Sequence, residues 1–316
     1  MTEFCSAQST HEPLAGTSPQ KRVWLIIEQP GTWGNDALIE SSLPDGLGAE
    51  LKKLQDEIGI GVLLARRPDL GAVERRTTKR RRLWLAHTTP GGVRMRAGSL
   101  DDISDVLRWD WQAILRGELP PIGRRSLDPV LFVCTNGKKD ACCAKFGREI
   151  IDDLRPDPEL TGQIYECTHL GGHRFAPTAL LLPYGYIYGR LTIARAREVL
   201  AAAWNVEVES DYLRGRTALP QWAQVAEIAV RQQFNIRNAD ALDVIALRSE
   251  RPIAATIAGA LQDGDHVQVR HQDGRAWEVA LTSHEVAPRP TSCGDEPSSG
   301  LALVAGVVSE LERWHR

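Results

Sequence analysis

The sequence predicts an α/β fold. Short runs rich in β-branched and aromatic residues read as strands, and they alternate with stretches whose apolar residues recur at helical spacing. Segments rich in glycine and proline separate these elements. At 316 residues, with 42% hydrophobic and 25% charged residues, the chain has ordinary globular composition and is too long for one average core. We therefore expect an N-terminal α/β unit, a central unit and a smaller C-terminal α+β region.

The first unit is predicted over residues 21–125, after a polar segment, 1–20, that reads as a disordered tail. Asn35 or Asp36 can cap a helix that reaches to about residue 58, and Ser99 can cap a helix that begins at Leu100. The strands of this unit are predicted at residues 22–28, 61–66, 82–87 and 93–96.

The second unit, residues 126–205, has a thioredoxin-like order of elements: strand, loop, helix, strand, hairpin, helix. A strand ends at Cys134, a polar loop follows, and a helix begins near Cys143 and stops at Pro156. Thr192 caps the last helix, which runs to about Trp204. The strands are predicted at residues 129–134, 163–168, 179–182 and 186–188.

The third region, residues 206–316, is predicted as α+β. Asp273-Gly274 is a hairpin signal between two strands. A loop containing Cys293 follows, and the chain closes on a polar segment. We find no internal repeat with a period of about 20 to 50 residues. The predicted helices are 221–234 and 239–247, and the predicted strands are 266–270 and 276–282.

Charge and hydropathy exclude several classes of partner. The net charge of −3 gives no reason to expect nucleic acid or an anionic membrane. No apolar run approaches the roughly 18 residues that span a bilayer. The first twenty residues lack the apolar core of a secretory signal, so we expect a cytoplasmic protein with reduced cysteines.

The chemistry is concentrated between residues 131 and 174, where four of the six cysteines lie. Cys134 and Cys143 are separated by eight residues, and His169 and His173 lie in the run His-Leu-Gly-Gly-His. The two glycines disfavour a helix and allow a loop to wrap closely around a ligand. Two thiolates and two imidazoles suit either Zn²⁺ or a [2Fe-2S] cluster. Zinc fingers have closer cysteines, so the spacing favours the cluster.

Two further cysteines compete for the same roles. Cys142 adjoins Cys143, and either can be the second thiolate. Cys167 shares a strand face with position 169 and can replace His169 as a ligand. A hypothesis from another class is a metal-free thiol enzyme, with Cys143 as nucleophile and His169 as base.

The Cys134–Cys143 and Cys167–Ala176 stretches resemble the sucrase/ferredoxin-like family of thioredoxin-fold [2Fe-2S] proteins. Glu28-Gln-Pro-Gly-Thr-Trp-Gly34 and Tyr188-Gly-Arg190 carry the resemblance further, so that it covers at least residues 22–190. The His-x-Gly-Gly-His motif is its most specific part. The resemblance implies that Cys134, Cys143, His169 and His173 hold the cluster, and it favours Cys143 over Cys142.

This ligand set implies an electron carrier with no substrate-converting site of its own. We expect a redox partner protein, either a flavoprotein reductase or another carrier, while the sequence leaves the oligomeric state open. Neutral imidazoles in place of two thiolates raise the reduction potential, towards the range of about −150 to +300 mV of Rieske-type centres. Lys138, Lys139 and Asp140 are candidates for a docking rim, and Arg174 is a candidate donor to a bridging sulfide.

Overall fold

The structure is a computed structural model that describes residues 4–68, 80–248 and 265–312. Within those residues, ten strands form a mixed sheet and a separate four-stranded antiparallel sheet lies towards the C-terminal end, which confirms the α/β class. The strands of the large sheet are β1 (Val23–Glu28), β2 (Gly61–Arg66), β3 (Arg81–His87), β4 (Arg94–Leu100), β5 (Arg124–Arg125), β6 (Val130–Cys134), β7 (Ile164–Cys167), β8 (Ala179–Leu182), β9 (Tyr186–Tyr188) and β10 (Leu213–Arg216). The α-helices are α1 (Cys5–Gln8), α2 (Ala37–Glu40), α3 (Leu47–Lys53), α4 (Trp111–Leu115), α5 (Arg148–Leu154), α6 (Ile193–Trp204) and α7 (Gln221–Phe234).

The large sheet consists of two halves with the same strand topology. Its order is β10-β9-β8-β6-β7-β2-β1-β3-β4-β5. In each half a parallel pair, β1 with β2 or β6 with β7, is extended by three antiparallel strands on the side of its first member. The halves meet where β2 and β7 pair antiparallel, with Ala65 opposite Cys167. The chain therefore contains a repeat of topology that is much longer than the periods for which the sequence was searched.

The two halves also share one hydrophobic core. Trp84 of the first half makes edge-to-face contacts with Phe132 and Tyr165 of the second, at centroid distances of 5.1 and 4.6 Å. Cys134, Cys143 and Cys167 belong to the same buried cluster. The sheet thus runs across the predicted boundary at 125/126, and β10, beyond residue 205, is part of it.

The first unit contains shorter helices than the sequence predicts. The stretch expected to be one helix up to residue 58 is divided into α2, α3 and a π-helical turn, Leu54–Ile58. Pro44 and Gly46 lie between α2 and α3. The φ of Gly46 is 77°, which is outside the helical range, so one continuous helix cannot pass through this residue. The expected cap Ser99 lies inside β4 instead. Asp102 caps the following 3-10 turn, because its side chain accepts a hydrogen bond from the amide of Ser104.

The C-terminal sheet corrects two predictions. The helix predicted over residues 239–247 is wrong, because Leu242–Arg248 is a strand. Leu242 and Val244 pack on the core whereas Asp243 and Ile245 are exposed, an alternation that only a strand produces. The closing segment, expected to be polar, contains a long and largely apolar strand that pairs with the hairpin. The strands of this sheet are β11 (Leu242–Arg248), β12 (His266–His271), β13 (Ala276–Arg289) and β14 (Ser298–Leu311), and they pack against α7.

The N-terminal segment differs from the expected disordered tail. From Phe4 onward it lies against the body of the protein, and Glu12 is only 5% exposed. The carboxylate of Glu12 accepts paired hydrogen bonds from Arg174 and from Arg289 of β13, at 2.8 and 2.9 Å. Arg190 donates to the carbonyls of Ser9 and Glu12. The segment therefore joins the predicted central unit to the C-terminal sheet.

Glu12 should make folding stability depend on pH. Burial opposes its charge, but the hydrogen bonds from Arg174 and Arg289 lower its pKa from 4.5 to about 2. A carboxyl whose pKa is lower in the folded state stabilises the fold above its unfolded pKa, here by about 3 kcal/mol, and this contribution is lost as pH falls towards 2. We expect Glu12→Gln to lower the free energy of unfolding in urea by that amount at pH 7.

The difference between Glu12→Gln and the wild type should shrink between pH 4.5 and pH 2, the range set by the two pKa values. The matched control is Glu149→Gln, because Glu149 pairs with Lys145 on an exposed helix face and should contribute less than about 1 kcal/mol. A Glu12→Gln effect as small as that of the control, or one independent of pH, would contradict this account.

Candidate metal centre

The site lies where the two central parallel strands of the second half end. Strands β6 and β7 pair in parallel with Cys134 opposite Cys167, and every residue of both strands is buried. Because parallel strands point their carboxyl ends to the same edge of a sheet, the loops that follow them leave side by side. One loop leads to Cys143 and the other contains His169 and His173.

A glycine fixes the helix that carries Cys143 against the end of β6. Cys143 opens a π-helical turn, Cys143–Gly147, that continues into α5. A Cβ atom at Gly147 would lie 2.1 Å from the carbonyl oxygen of Cys134, so only glycine allows this approach. The close packing brings the thiol of Cys143 to that of Cys134.

Three donors form a tight group at this point. The sulfurs of Cys134 and Cys143 and a ring nitrogen of His169 all lie within 4.8 Å of one another. Hydrogen bonds from Cys143 first, and then from His169, lower the pKa of Cys134 well below its usual value although burial opposes this. The same thiol–thiolate bond, followed by burial, raises the pKa of Cys143. A metal bound by both sulfurs would have to displace the protons that they carry as thiols.

His173 lies beside this group on its outer side. The rings of His169 and His173 are 4.8 Å apart between centroids and tilted by 31°. His173 is not one of the three donors within 4.8 Å, and its side chain keeps 14% exposure. Burial, and then the charge of His169, lower the pKa of His173, so its imidazole is neutral at pH 7 and has a lone pair to donate.

The buried nitrogens of both histidines fit a metal-binding role. Among the described residues, the Nδ1 atoms of His169 and His173 have no hydrogen-bond partner. An unsatisfied buried polar atom costs about 1–3 kcal/mol, so two of them beside two thiols call for a ligand. Soft sulfur and borderline nitrogen donors suit zinc or iron–sulfur centres.

Comparison with known proteins agrees with the predicted resemblance. The sequence model of the sucrase/ferredoxin-like family matches residues 14–215, which is more than half of the chain. The chain belongs to this family. The match includes all four predicted ligands and ends at β10, so it covers the large sheet and stops before α7 and the C-terminal sheet. No curated protein and no solved structure matches the chain.

The structure separates the competing cysteines of this sucrase/ferredoxin-like protein. The Cys142 sulfur lies 3.4 Å from that of Cys5 and 3.2 Å from that of Cys293, in a different cluster from that of Cys143. Cys167 is fully buried, and burial raises its pKa well above the usual value. The residues that the fold brings together are Cys134, Cys143 and His169, with His173 adjacent.

Sequence reasoning missed the part that Cys5 and Cys293 play. Cys5 was assigned to the tail and Cys293 to a loop, and they are 137 and 151 positions from Cys142. No spacing motif links cysteines so far apart, and only their residue type was a signal.

The neighbouring charged residues have other contacts than those expected. Arg174 pairs with Glu12. Asp140 is 4% exposed, with Oδ2 3.9 Å from Nε2 of His173. Lys138 and Lys139 are exposed, as a docking rim requires, and Lys139 donates to Asn35 at 3.2 Å.

None of the helices in the described part of the chain has both the length and the apolar character needed to cross a bilayer.

The paired glycines of the histidine loop give a direct test of its geometry. Both have positive φ, 82° for Gly171 and 69° for Gly172. A Cβ at Gly171 meets nothing within 4 Å, whereas one at Gly172 would lie 2.6 Å from the buried guanidinium of Arg214 and 3.0 Å from Phe175. Gly171→Ala should therefore cost only the left-handed backbone penalty of about 1–2 kcal/mol. Gly172→Ala should cost about 1–3 kcal/mol more.

The measurement is the free energy of unfolding in urea together with the metal retained after dialysis. Arg214 donates to the carbonyl of Gly171 at 2.8 Å, so displacing it also displaces the loop between the histidines. Gly172→Ala should lose metal and Gly171→Ala should keep it. Equal losses in both variants would mean that the loop does not depend on this contact.

Proposed function

We propose that this protein is a one-electron carrier whose [2Fe-2S] cluster is held by Cys134, Cys143, His169 and His173. The observation that carries the proposal is a group of two buried thiols and the imidazole of His169, with the ring of His173 4.8 Å from that of His169 and the Nδ1 atoms of both histidines without partners. The family name and the donor set both support it. When bound, the cluster supplies reversible one-electron chemistry.

The position of His173 supports two bridged irons over a single zinc ion. With metal–ligand bonds of about 2.0–2.3 Å, the donors around one tetrahedral zinc lie within about 3.8 Å of each other. Cys134, Cys143 and His169 lie within 4.8 Å of one another, but His173 lies outside even that wider limit. A pair of metals accommodates a more widely spaced fourth ligand.

The burial of the ligands supports electron exchange on the imidazole side. Cys134 is fully buried and Cys143 is 1% exposed, whereas His173 and the adjacent Gly171 and Gly172 are partly exposed. The thiolates keep water from the inner side, and the histidine loop faces the surface. Lys138 and Lys139, on the loop between the two ligand cysteines, are exposed and basic. They suit a redox partner with an acidic docking face, which is a flavoprotein reductase or another carrier.

All six cysteines are free thiols in the structure, which suits the reducing cytoplasm.

The burial of the thiols argues against the metal-free thiol enzyme. The raised pKa of Cys143 makes it a poor nucleophile, and Cys134, the better thiolate, has no exposed surface for a substrate to reach. A zinc protein with the same ligands is the second candidate, favoured by the compact three-donor group.

The first test is the cofactor content of protein prepared without oxygen. We expect about two irons and two sulfides per chain and, after reduction, an electron paramagnetic resonance spectrum of the Rieske type, with a low average g value. Cys143→Ala should abolish the iron and the spectrum. Cys167→Ala is the matched control, because Cys167 is also buried in the same core but lies outside the donor group. A wild type without iron or sulfide, but with about one zinc per chain that Cys143→Ala loses, would establish the second candidate instead.

The second test is the dependence of the reduction potential on pH. Protonation of a ligand imidazole adds positive charge that favours the reduced state, so the potential should fall as pH rises. His173→Cys should lower the potential towards that of all-cysteine ferredoxins, about −400 mV. Protein-film voltammetry gives both values. A potential that stays flat between about pH 6 and 10, where histidine ligands titrate, would rule out histidine ligation.

A further inference from the structure

Three cysteines form a second group of thiols, separate from the group of Cys134 and Cys143. The sulfurs of Cys5, Cys142 and Cys293 form a triangle with sides of 3.2, 3.4 and 3.6 Å. Cys5 comes from the N-terminal segment, Cys142 from the helical residues directly before the π-helical turn Cys143–Gly147, and Cys293 from the loop between β13 and β14. Cys5 and Cys142 form a small buried cluster with Ala176, and the partly buried Cys293 packs against it; this cluster is separate from the one that contains Cys134 and Cys143.

The sides of this triangle are close to those of a metal–thiolate site. Sulfurs around a tetrahedral zinc with Zn–S bonds of about 2.3 Å are about 3.8 Å apart, whereas a disulfide joins sulfurs at about 2.05 Å. The observed separations need only a few tenths of an ångström of expansion to hold zinc. A bound cation would also remove the need to bury three thiols against one another.

A carboxylate completes the donor set. An oxygen of Asp140 lies within 4.8 Å of all three sulfurs, and Asp140 is buried. Its Oδ1 accepts a hydrogen bond from the amide of Cys142 at 2.8 Å. Its Oδ2 accepts from the hydroxyl of Ser292 at 2.9 Å and the amide of Cys293 at 2.8 Å. Ser6 donates to the sulfur of Cys142 at 3.3 Å. These bonds orient both the carboxylate and the thiols, as partners around metal ligands do.

We propose that Cys5, Cys142 and Cys293, with Asp140 as the oxygen donor, bind a structural Zn²⁺ ion. Three thiolates and one carboxylate give four donors, which is the number that closed structural zinc sites have. The oxygen donor favours zinc over Cu(I), which selects purely soft ligands. The site joins the N-terminal segment and the loop between β13 and β14 to the helical turn that carries Cys143.

The site uses none of the four ligands assigned to the cluster, although Oδ2 of Asp140 lies 3.9 Å from Nε2 of His173. The family match covers residues 14–215, so it includes Asp140 and Cys142 but neither Cys5 nor Cys293. The complete donor set is therefore not contained in the matched region.

The test is the metal content of the full-length protein, purified anaerobically with a thiol reductant from zinc-supplemented cells. We expect about one zinc per chain in the wild type, and close to none in Cys293→Ala. Cys293 lies in a partly exposed loop, so its loss should leave the fold, checked by circular dichroism, intact. Cys134→Ala should keep its zinc whatever happens to its iron, which separates failure of this proposal from failure of the electron-carrier proposal. Cys167→Ala is the matched cysteine control and should keep the zinc as well.

Replacement of zinc by Co²⁺ supplies a second, spectroscopic readout. The wild type should show the visible bands and thiolate charge-transfer absorption of tetrahedral cobalt, and Cys293→Ala should lose them. Ser6→Ala should weaken zinc binding about 10- to 100-fold, as loss of a hydrogen bond to a ligand does. Wild-type protein without zinc, zinc retained in Cys293→Ala, or a Cys142–Cys293 disulfide under reducing purification would each overturn the proposal.

Discussion

The parallel pairing of β6 and β7 determines the rest of the site. With Cys134 opposite Cys167, both strands end at one edge of the sheet, and the two loops that carry the thiols and the imidazoles leave together. The amide of Thr135 donates to the carbonyl of Cys167, which continues the pairing beyond the last residue of β6. A shift of one residue would turn Cys134 to the opposite face, away from Cys143. The ligand geometry is therefore set by a buried strand register, with glycines at 147 and 172 allowing the close approaches.

The duplicated topology shows which parts of the site are specific to the second half. The first half has the same parallel pair, but its first strand ends at Glu28 where the second half has Cys134. Glu28 pairs with Arg67 and accepts from the amide of Arg82. An ion pair thus occupies the place that corresponds to the thiol, and the first half supplies a partner for the shared core. The N-terminal segment and the C-terminal sheet then enclose the site from outside, through Glu12 and the cysteines at 5, 142 and 293.

The sequence predicted the second half well because its information is local. The apolar strand before Cys134, the cap Thr192 and the Pro-Tyr-Gly turn each specify their own element, and the Gly-Gly pair identifies the histidine loop. What it did not predict depends on contacts between distant segments. The union of the halves depends on one short pairing of β2 with β7, and the order of the N-terminal segment depends on Arg174 and Arg289. Residues 242–248 contain a short apolar run that was predicted as part of a helix, and they form a strand because they pair with β12.

The central claim is that sulfur and imidazole donors from two adjacent loops bind one pair of bridged irons. The most direct measurement is electron–nuclear double resonance of the reduced protein, prepared with ¹⁵N-labelled histidine and reconstituted with iron and sulfide. The account predicts strong couplings from two distinct histidine nitrogens to the electron spin of the reduced cluster. A reduced cluster without histidine ¹⁵N coupling, or reconstituted protein that forms no cluster, would contradict it.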